Sequence, residues 1–376
     1  MGHLFTKGEN QMESSWNLET YLANGVESIV KEILRATLKD PKESLFMAAF
    51  SRSSKAGTAR REELETQGHH IPPFLIASIS SQCNLHCKGC YARSNGTCTE
   101  NLPAGLLSSE DWQRIFKEAE SLGIGFILLA GGEPFMRRDV LEKAGETSNI
   151  LFPIFTNGTL LNESSLALLK RRRNLIPIFS IEGEQKKNDL RRGDGVYQKV
   201  TDAMEAMKKE RLLFGASVTV TTQNLTEVTG DKFLQHLESR GCKIIIFVEY
   251  VPVTKDSKSL APGENERAYL SSRLAMLRNN DFSPVLISFP GDEKSSGGCL
   301  AAGRGFFHID PRGDVQPCPF SPYSDRNLKE ISLLEALESP FFKGLKQHDV
   351  LKDEHVGGCV LFERRNQVEE ILQSEL

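Results

Sequence analysis

Three cysteines stand at the spacing C-x3-C-x2-C in the stretch Cys83-Asn84-Leu85-His86-Cys87-Lys88-Gly89-Cys90-Tyr91. Thiolates are soft ligands, and three on one short loop can converge on zinc or on an iron–sulfur cluster. Either centre ordinarily wants a fourth protein ligand. The next cysteine, Cys98, lies eight residues further on, so the loop itself offers none. One metal position is left open, and an open position is where a cofactor can bind.

The apolar run at 74–79 reads as a buried strand that delivers this loop. Further continuous apolar runs follow at 125–130, 151–155, 175–181, 216–221 and 243–251. Helical stretches separate them. In the clearest, 111–122, Trp112, Ile115, Phe116, Ala119 and Leu122 share a face; Ser108 or Ser109 can cap its start and Gly123 ends it. Apolar strands alternating with helices predict a parallel α/β sheet covered on both faces.

Residues able to do chemistry recur where the expected strands end. After the second comes Gly131-Gly132-Glu133-Pro134, whose paired glycines let a backbone approach a ligand closely. It is no nucleotide-binding G-x-G-x-x-G, because the third glycine is absent. Thr156-Asn157-Gly158 ends the third run, and Ser180-Ile181-Glu182-Gly183 the fourth. Asp189-Leu190-Arg191-Arg192-Gly193 supplies guanidinium groups, which suit bidentate binding of a carboxylate. Glu249 and Tyr250 close the sixth run, facing either a substrate or a buried structural hydrogen bond.

C-x3-C-x2-C followed by an aromatic, with Gly-Gly-Glu-Pro after the next strand, resembles the radical S-adenosylmethionine (radical SAM) superfamily. The resemblance implies a partial (β/α)6 TIM-like barrel with its chemistry at the C-terminal ends of the strands. It implies a [4Fe–4S] cluster on Cys83, Cys87 and Cys90, with its unique iron chelated by S-adenosylmethionine. Gly131, Gly132 and Glu133 would grip the methionyl amine, and Tyr91 would pack on the adenine. Asn157 and Ser180 join these as strand-end positions at the cofactor. Glu182 departs from the family's Ser-x-Asp-Gly, where Asp is usual, and spacing from Asp189 favours Arg192 as the carboxylate's partner.

The pattern changes after about residue 285. Residues 306–309 and 315–317 read as a hairpin around Asp310-Pro311-Arg312-Gly313. Gly297-Gly298-Cys299, Cys318 and Gly357-Gly358-Cys359 bracket it. This resembles the SPASM/twitch extension of radical SAM enzymes and implies a second, auxiliary iron–sulfur cluster on Cys299, Cys318 and Cys359. Cys98 is either its fourth ligand or a bystander, and the fourth iron position is otherwise open to substrate. A structural zinc site is the alternative for these thiols. Cys242, ahead of a strand, reads as a small buried hydrophobe.

Ahead of the barrel, apolar positions from Leu18 through Leu22, Val26, Ile29, Val30, Ile33 and Leu34 recur at helical spacing. Asp40-Pro41 stops that helix and opens another through Leu45, Phe46, Met47 and Phe50. Three regions are thus expected: an N-terminal helical extension (1–72), the barrel (73–285), and a small hairpin-plus-helix cluster domain (286–376). Among 376 residues, 39% are hydrophobic and 26% charged, as in ordinary globular proteins. A net charge of −4 gives no reason to expect nucleic acid. The run Lys170-Arg171-Arg172-Arg173 follows an apolar segment and reads as a helix C-terminus. No apolar run approaches the length of a membrane span, and no signal peptide opens the chain. A reducing, cytoplasmic setting follows, in which eight cysteines suit metal or catalysis better than disulfides.

The expected activity is that of an enzyme fed electrons by a flavodoxin- or ferredoxin-like donor. It would cleave S-adenosylmethionine to a 5′-deoxyadenosyl radical and abstract hydrogen from an unactivated C–H bond of a peptide or a small molecule. The auxiliary cluster would take back the electron or ligate the substrate. A non-catalytic, cluster- or zinc-bound interaction module is the competing reading.

Overall fold

The computed structural model describes residues 18–38, 40–252, 255–279, 282–289, 298–352 and 359–375. Residues 1–17, Gly297, Gly357 and Gly358 lie outside these. Seven parallel strands form the frame: β1 (Phe74–Ser80), β2 (Phe126–Gly131), β3 (Phe152–Thr156), β4 (Leu175–Ser180), β5 (Gly215–Val220), β6 (Ile244–Glu249) and β7 (Val285–Phe289). They lie side by side in chain order in an open sheet. The six expected strands are present, each within about two residues of the apolar run that announced it. The seventh, Val285-Leu286-Ile287-Ser288-Phe289, carries the sheet past the point where the sequence pattern changes. Its short run sits beside Pro284 and lacks a clear helix–strand rhythm around it.

The predicted hairpin also belongs to this sheet. Its strands β8 (His308–Ile309) and β9 (Val315–Gln316) are shorter than expected, and β8 pairs in parallel with β1 through Ile76 and Ala77. Phe306, just before β8, stacks on Phe74 of β1 at 5.2 Å and meets Phe289 of β7 edge-on at 5.6 Å. Aromatic packing therefore brings the β7 edge against the β1–β8 side without hydrogen bonds closing the barrel.

Strand side chains alternate between two buried clusters, as the period of two requires. Phe152, Ile154, Phe179, Val218 and Phe247 pack with Trp112, Phe116, Leu168 and Met204 from the covering helices. The helix Ser109–Ser121 carries Trp112 and Phe116, and Ser108 caps it in a reciprocal box with Asp111. On the other face Ile176, Ile178, Ile244 and Val285 pack with Val30, Ile33, Met47 and Phe50. These come from α1 (Leu18–Thr37) and α2 (Pro41–Thr66), the latter capped by Asp40 with Pro41 in its first turn. Ile244, Val285 and Phe126 each open a strand, and Phe50 meets Phe126 edge-on at 5.5 Å. The N-terminal helices thus form a floor under the N-terminal strand ends, leaving the C-terminal ends for chemistry. The basic run is structural: Lys170 pairs with Glu210 at 2.6 Å, and Arg173 pairs with buried Glu43 of α2.

A buried polar link fastens the hairpin to β1. His308 is 1% exposed, its Nε2 lies 2.7 Å from the Ser78 hydroxyl, and its Nδ1 lies 2.9 Å from Gln316 Oε1. Burial pushes the imidazole pKa down to about 4. The unfolded chain, with an ordinary histidine near 6.5, therefore binds more protons than the folded one between these values. Stability from this site is complete above about pH 6.5 and declines as pH falls toward 4, by about 3 kcal/mol in all. Denaturant unfolding of wild type and His308→Gln across pH 4–7 should show this decline in wild type and its loss in the variant.

Candidate active site

The cysteine loop is stitched to the end of β2 by backbone alone. The Gly132 N–H donates to Ser80 O at 2.7 Å, and the Glu133 N–H donates to Gln82 O at 2.7 Å. This approach admits no side chain. A Cβ on Gly132 would lie 2.0 Å from Gln82 O, and one on Gly131, whose φ is +113°, 2.4 Å from Ser80 O. The glycine pair is required by the cysteine loop itself, whatever ligand also comes close.

Two further anchors hold the loop. Arg93 reaches back to the carbonyls of Cys83 (3.3 Å) and Leu85 (2.9 Å). Arg191 O accepts from the Lys88 N–H at 2.8 Å, while Arg191 Nε donates to Lys88 O at 3.3 Å. Asn157, at the end of β3, places its Nδ2 3.8 Å from Cys83 Sγ and 2.9 Å from Asn84 Oδ1.

Cys83, Cys87 and Cys90 are free thiols at partial exposure. Burial pushes Cys83 up to about 11, reinforced by the nearby Glu133, Cys98 and Cys87. Burial also raises Cys87, against the opposing pull of Arg192 and Arg191. Thiolates at Cys83 and Cys87 are costly here without a cation, which is the condition that a bound iron–sulfur cluster relieves. The soft donor set and the surrounding guanidiniums of Arg93, Arg191 and Arg192 fit such a group.

Glu182 forms the electrostatic centre on the other side. It is 2% exposed, accepts from Arg192 Nε at 3.0 Å and from Arg192 Nη2, and lies 3.3 Å from Arg191 Nη1. The Thr219 N–H also donates to it at 3.0 Å. Burial raises its pKa, but the two guanidiniums outweigh burial and hold it below the usual carboxylate range. Asp189 instead caps the next helix, accepting from the Gly195 and Tyr197 amides.

The Glu133 carboxylate turns inward. It is 1% exposed and accepts from Thr156 Oγ1 (2.7 Å), the Asn157 N–H (2.8 Å) and the Phe135 N–H (3.1 Å). It clamps β2 to β3. Ser180, half-buried, stands opposite Ser217 in the β4–β5 register. Tyr91 lies edge-on to Phe320 at 4.9 Å, between Cys90 and Cys318.

Two of the C-terminal thiols meet directly. The Cys318 S–H bonds to Cys359, which is held below its ordinary pKa, while burial raises Cys318; Cys299 stands beside them. Cys299 is brought in by its N–H bond to Leu351 O at 2.7 Å, across a Gly298 that leaves no room for a Cβ. Cys98 is buried next to Cys83, Cys87 and Cys90. Cys242 is fully buried and bonded to Ile244 O, as a small core residue. Sequence reasoning missed Arg93 and the paired role of Arg191, whose partners lie on remote segments.

Residues 77–239 match the family model of the radical SAM superfamily. They form a radical SAM domain. The chain is similar to an AdoMet-dependent heme synthase of Methanosarcina barkeri, 26% identical over 309 residues, covering 74% of this chain and 86% of that relative. Streptococcus suis SuiB bound to its precursor peptide SuiA shares the fold, with TM-score 0.62, 18% identity, and coverage of 82% and 72% of the two chains. So does anSMEcpe with bound AdoMet and a peptide, with TM-score 0.58, 18% identity, and coverage of 81% and 99%. Residues 77–239 thus belong to the radical SAM superfamily and the chain is an enzyme, so the interaction-module reading is set aside. Its cofactors are a [4Fe–4S] cluster and S-adenosylmethionine.

Gly132→Ala drives a methyl into Gln82 O and should destabilise the fold by about 1–3 kcal/mol. Iron bound per folded chain should fall as well. Thermal unfolding and iron analysis on the same preparation check both.

Proposed function

We propose that the chain abstracts a hydrogen atom from an unactivated C–H bond of its substrate at the C-terminal mouth of the barrel. The observation that carries this reading is three free thiols on one loop beside a buried, carboxylate-held Arg192, although among the described residues no three such groups are drawn together to metal-binding distance. Cys83, Cys87 and Cys90 hold the [4Fe–4S] cluster. When bound, cluster and S-adenosylmethionine supply a 5′-deoxyadenosyl radical after one-electron reduction by a ferredoxin- or flavodoxin-like donor.

The chain's own residues bind and orient. Glu182 fixes two nitrogens of the Arg192 guanidinium and leaves Nη1 for the methionyl carboxylate. The Gly131 and Gly132 backbone would receive the methionyl amine. Asn157 donates toward Cys83 Sγ, which favours the thiolate. The α1–α2 floor closes the far end of the barrel with apolar side chains, so water is excluded from below.

Cys299, Cys318 and Cys359 hold an auxiliary cluster, which accepts the electron released by the oxidised substrate or ligates that substrate. The position of Cys98 beside the first loop leaves the second set with three cysteines, in favour of an open iron. The substrate is read as a small molecule of tetrapyrrole type, since the likeness to the heme synthase extends through most of both chains. A peptide side chain is the second reading, supported by the fold shared with the SuiA-bound enzyme.

Iron and sulfide counts after anaerobic reconstitution test the assignment. Wild type should hold roughly eight irons, and replacing either cysteine triplet by alanine should leave roughly four. Loss of the first triplet should also abolish 5′-deoxyadenosine formation, and loss of the second should spare uncoupled cleavage. A wild type that makes no 5′-deoxyadenosine with either substrate class would sink the reading.

A further inference from the structure

We propose that the Tyr250 hydroxyl donates a hydrogen bond to the group bound by the Cys83–Cys87–Cys90 loop, across the gap left by Gly89. The inference rests on the reading that this loop carries the cluster and S-adenosylmethionine. Tyr250 follows β6 directly, and its N–H bonds to Val220 O at 2.9 Å, which fixes the residue at the strand ends. It is 3% exposed, yet its hydroxyl has no hydrogen-bond partner among the described residues. A buried phenol without a partner is costly and needs explaining.

The hydroxyl sits against the loop. A Cβ on Gly89, between Cys87 and Cys90, would lie 2.6 Å from Tyr250 Oη. Gly89 also has φ +67°, so both backbone conformation and space reserve this position for glycine. The ring is held from its face by the Arg191 guanidinium, 5.7 Å from the centroid. Arg191 is itself bonded to Lys88 O, so ring and loop are positioned by one side chain. The Tyr91 ring, by contrast, packs on Phe320. The aromatic group at the loop's inner gap is Tyr250.

A phenol O–H donates, so the bound group must present an acceptor: a sulfur of the cluster, or an oxygen or ring nitrogen of S-adenosylmethionine. Tyr250→Phe keeps the ring and removes only the donor. Wild type and variant are reconstituted, checked for equal iron, and compared by redox titration without S-adenosylmethionine and by calorimetric titration with it. A more negative cluster potential in the variant places the bond on sulfur, because such a bond favours the more negatively charged reduced state. An unchanged potential with S-adenosylmethionine binding about 3- to 10-fold weaker places it on the nucleoside or methionyl moiety. Equal potential and equal affinity overturn the proposal while leaving the cluster assignment intact. A wild type with no iron on the loop overturns both.

Discussion

The backbone pairing of residues 80–82 with residues 132–133 is the constraint on which the rest of the site depends. Two amide-to-carbonyl bonds fasten the root of the cysteine loop to the neighbouring strand end, and they form only because glycines allow the chains to touch. Once Glu133 is placed by this contact, its carboxylate reaches Thr156 and the Asn157 amide, which locks the third strand end to the second. Asn157 in turn reaches Cys83 and Asn84. Three strand ends are thereby fixed around one loop before any metal arrives. Burial raises the Glu133 pKa, and its three donors act against that; satisfying a buried carboxylate so fully is what makes its burial tolerable.

Charge balance is the second constraint. A buried glutamate is costly alone, and Glu182 is tolerated because two arginines and the Thr219 amide surround it. One of those arginines also carries the Tyr250 ring and the Lys88 carbonyl, so its loss would disturb the loop as well as the carboxylate. The Glu182 carboxylate meets Arg192 directly.

Much of this was legible in the sequence, and the limit follows from range. Spacing on one short segment identified the Cys83–Cys87–Cys90 loop, and apolar runs located the six strands, because both are local patterns. The floor formed by α1 and α2 was readable only as amphipathic helix; that Phe50 meets Phe126 depends on packing across the barrel. That the Glu133 carboxylate clamps two strand ends was not readable, because its partners Thr156 and Asn157 lie more than twenty residues away. The contact of Tyr91 with Phe320 was likewise not readable, since it joins segments more than two hundred residues apart. Arg93 left no motif at all, since its task is to hold two carbonyls of its own loop.

The hairpin shows how the two cysteine sets come to share one frame. Parallel pairing of β8 with β1 sets the second set in register with the strand that delivers the first. Ser78, His308 and Gln316 reinforce that seam from within, with the imidazole kept neutral by burial. Beyond the seam, Asn95 Nδ2 donates to Pro319 O at 3.0 Å and Tyr91 packs on Phe320, so the turn after Cys90 rests on the turn after Cys318. A flexible linker would leave the separation of the two thiol sets to chance. Here sheet pairing, a buried histidine and an aromatic contact together fix how the two thiol sets lie relative to each other.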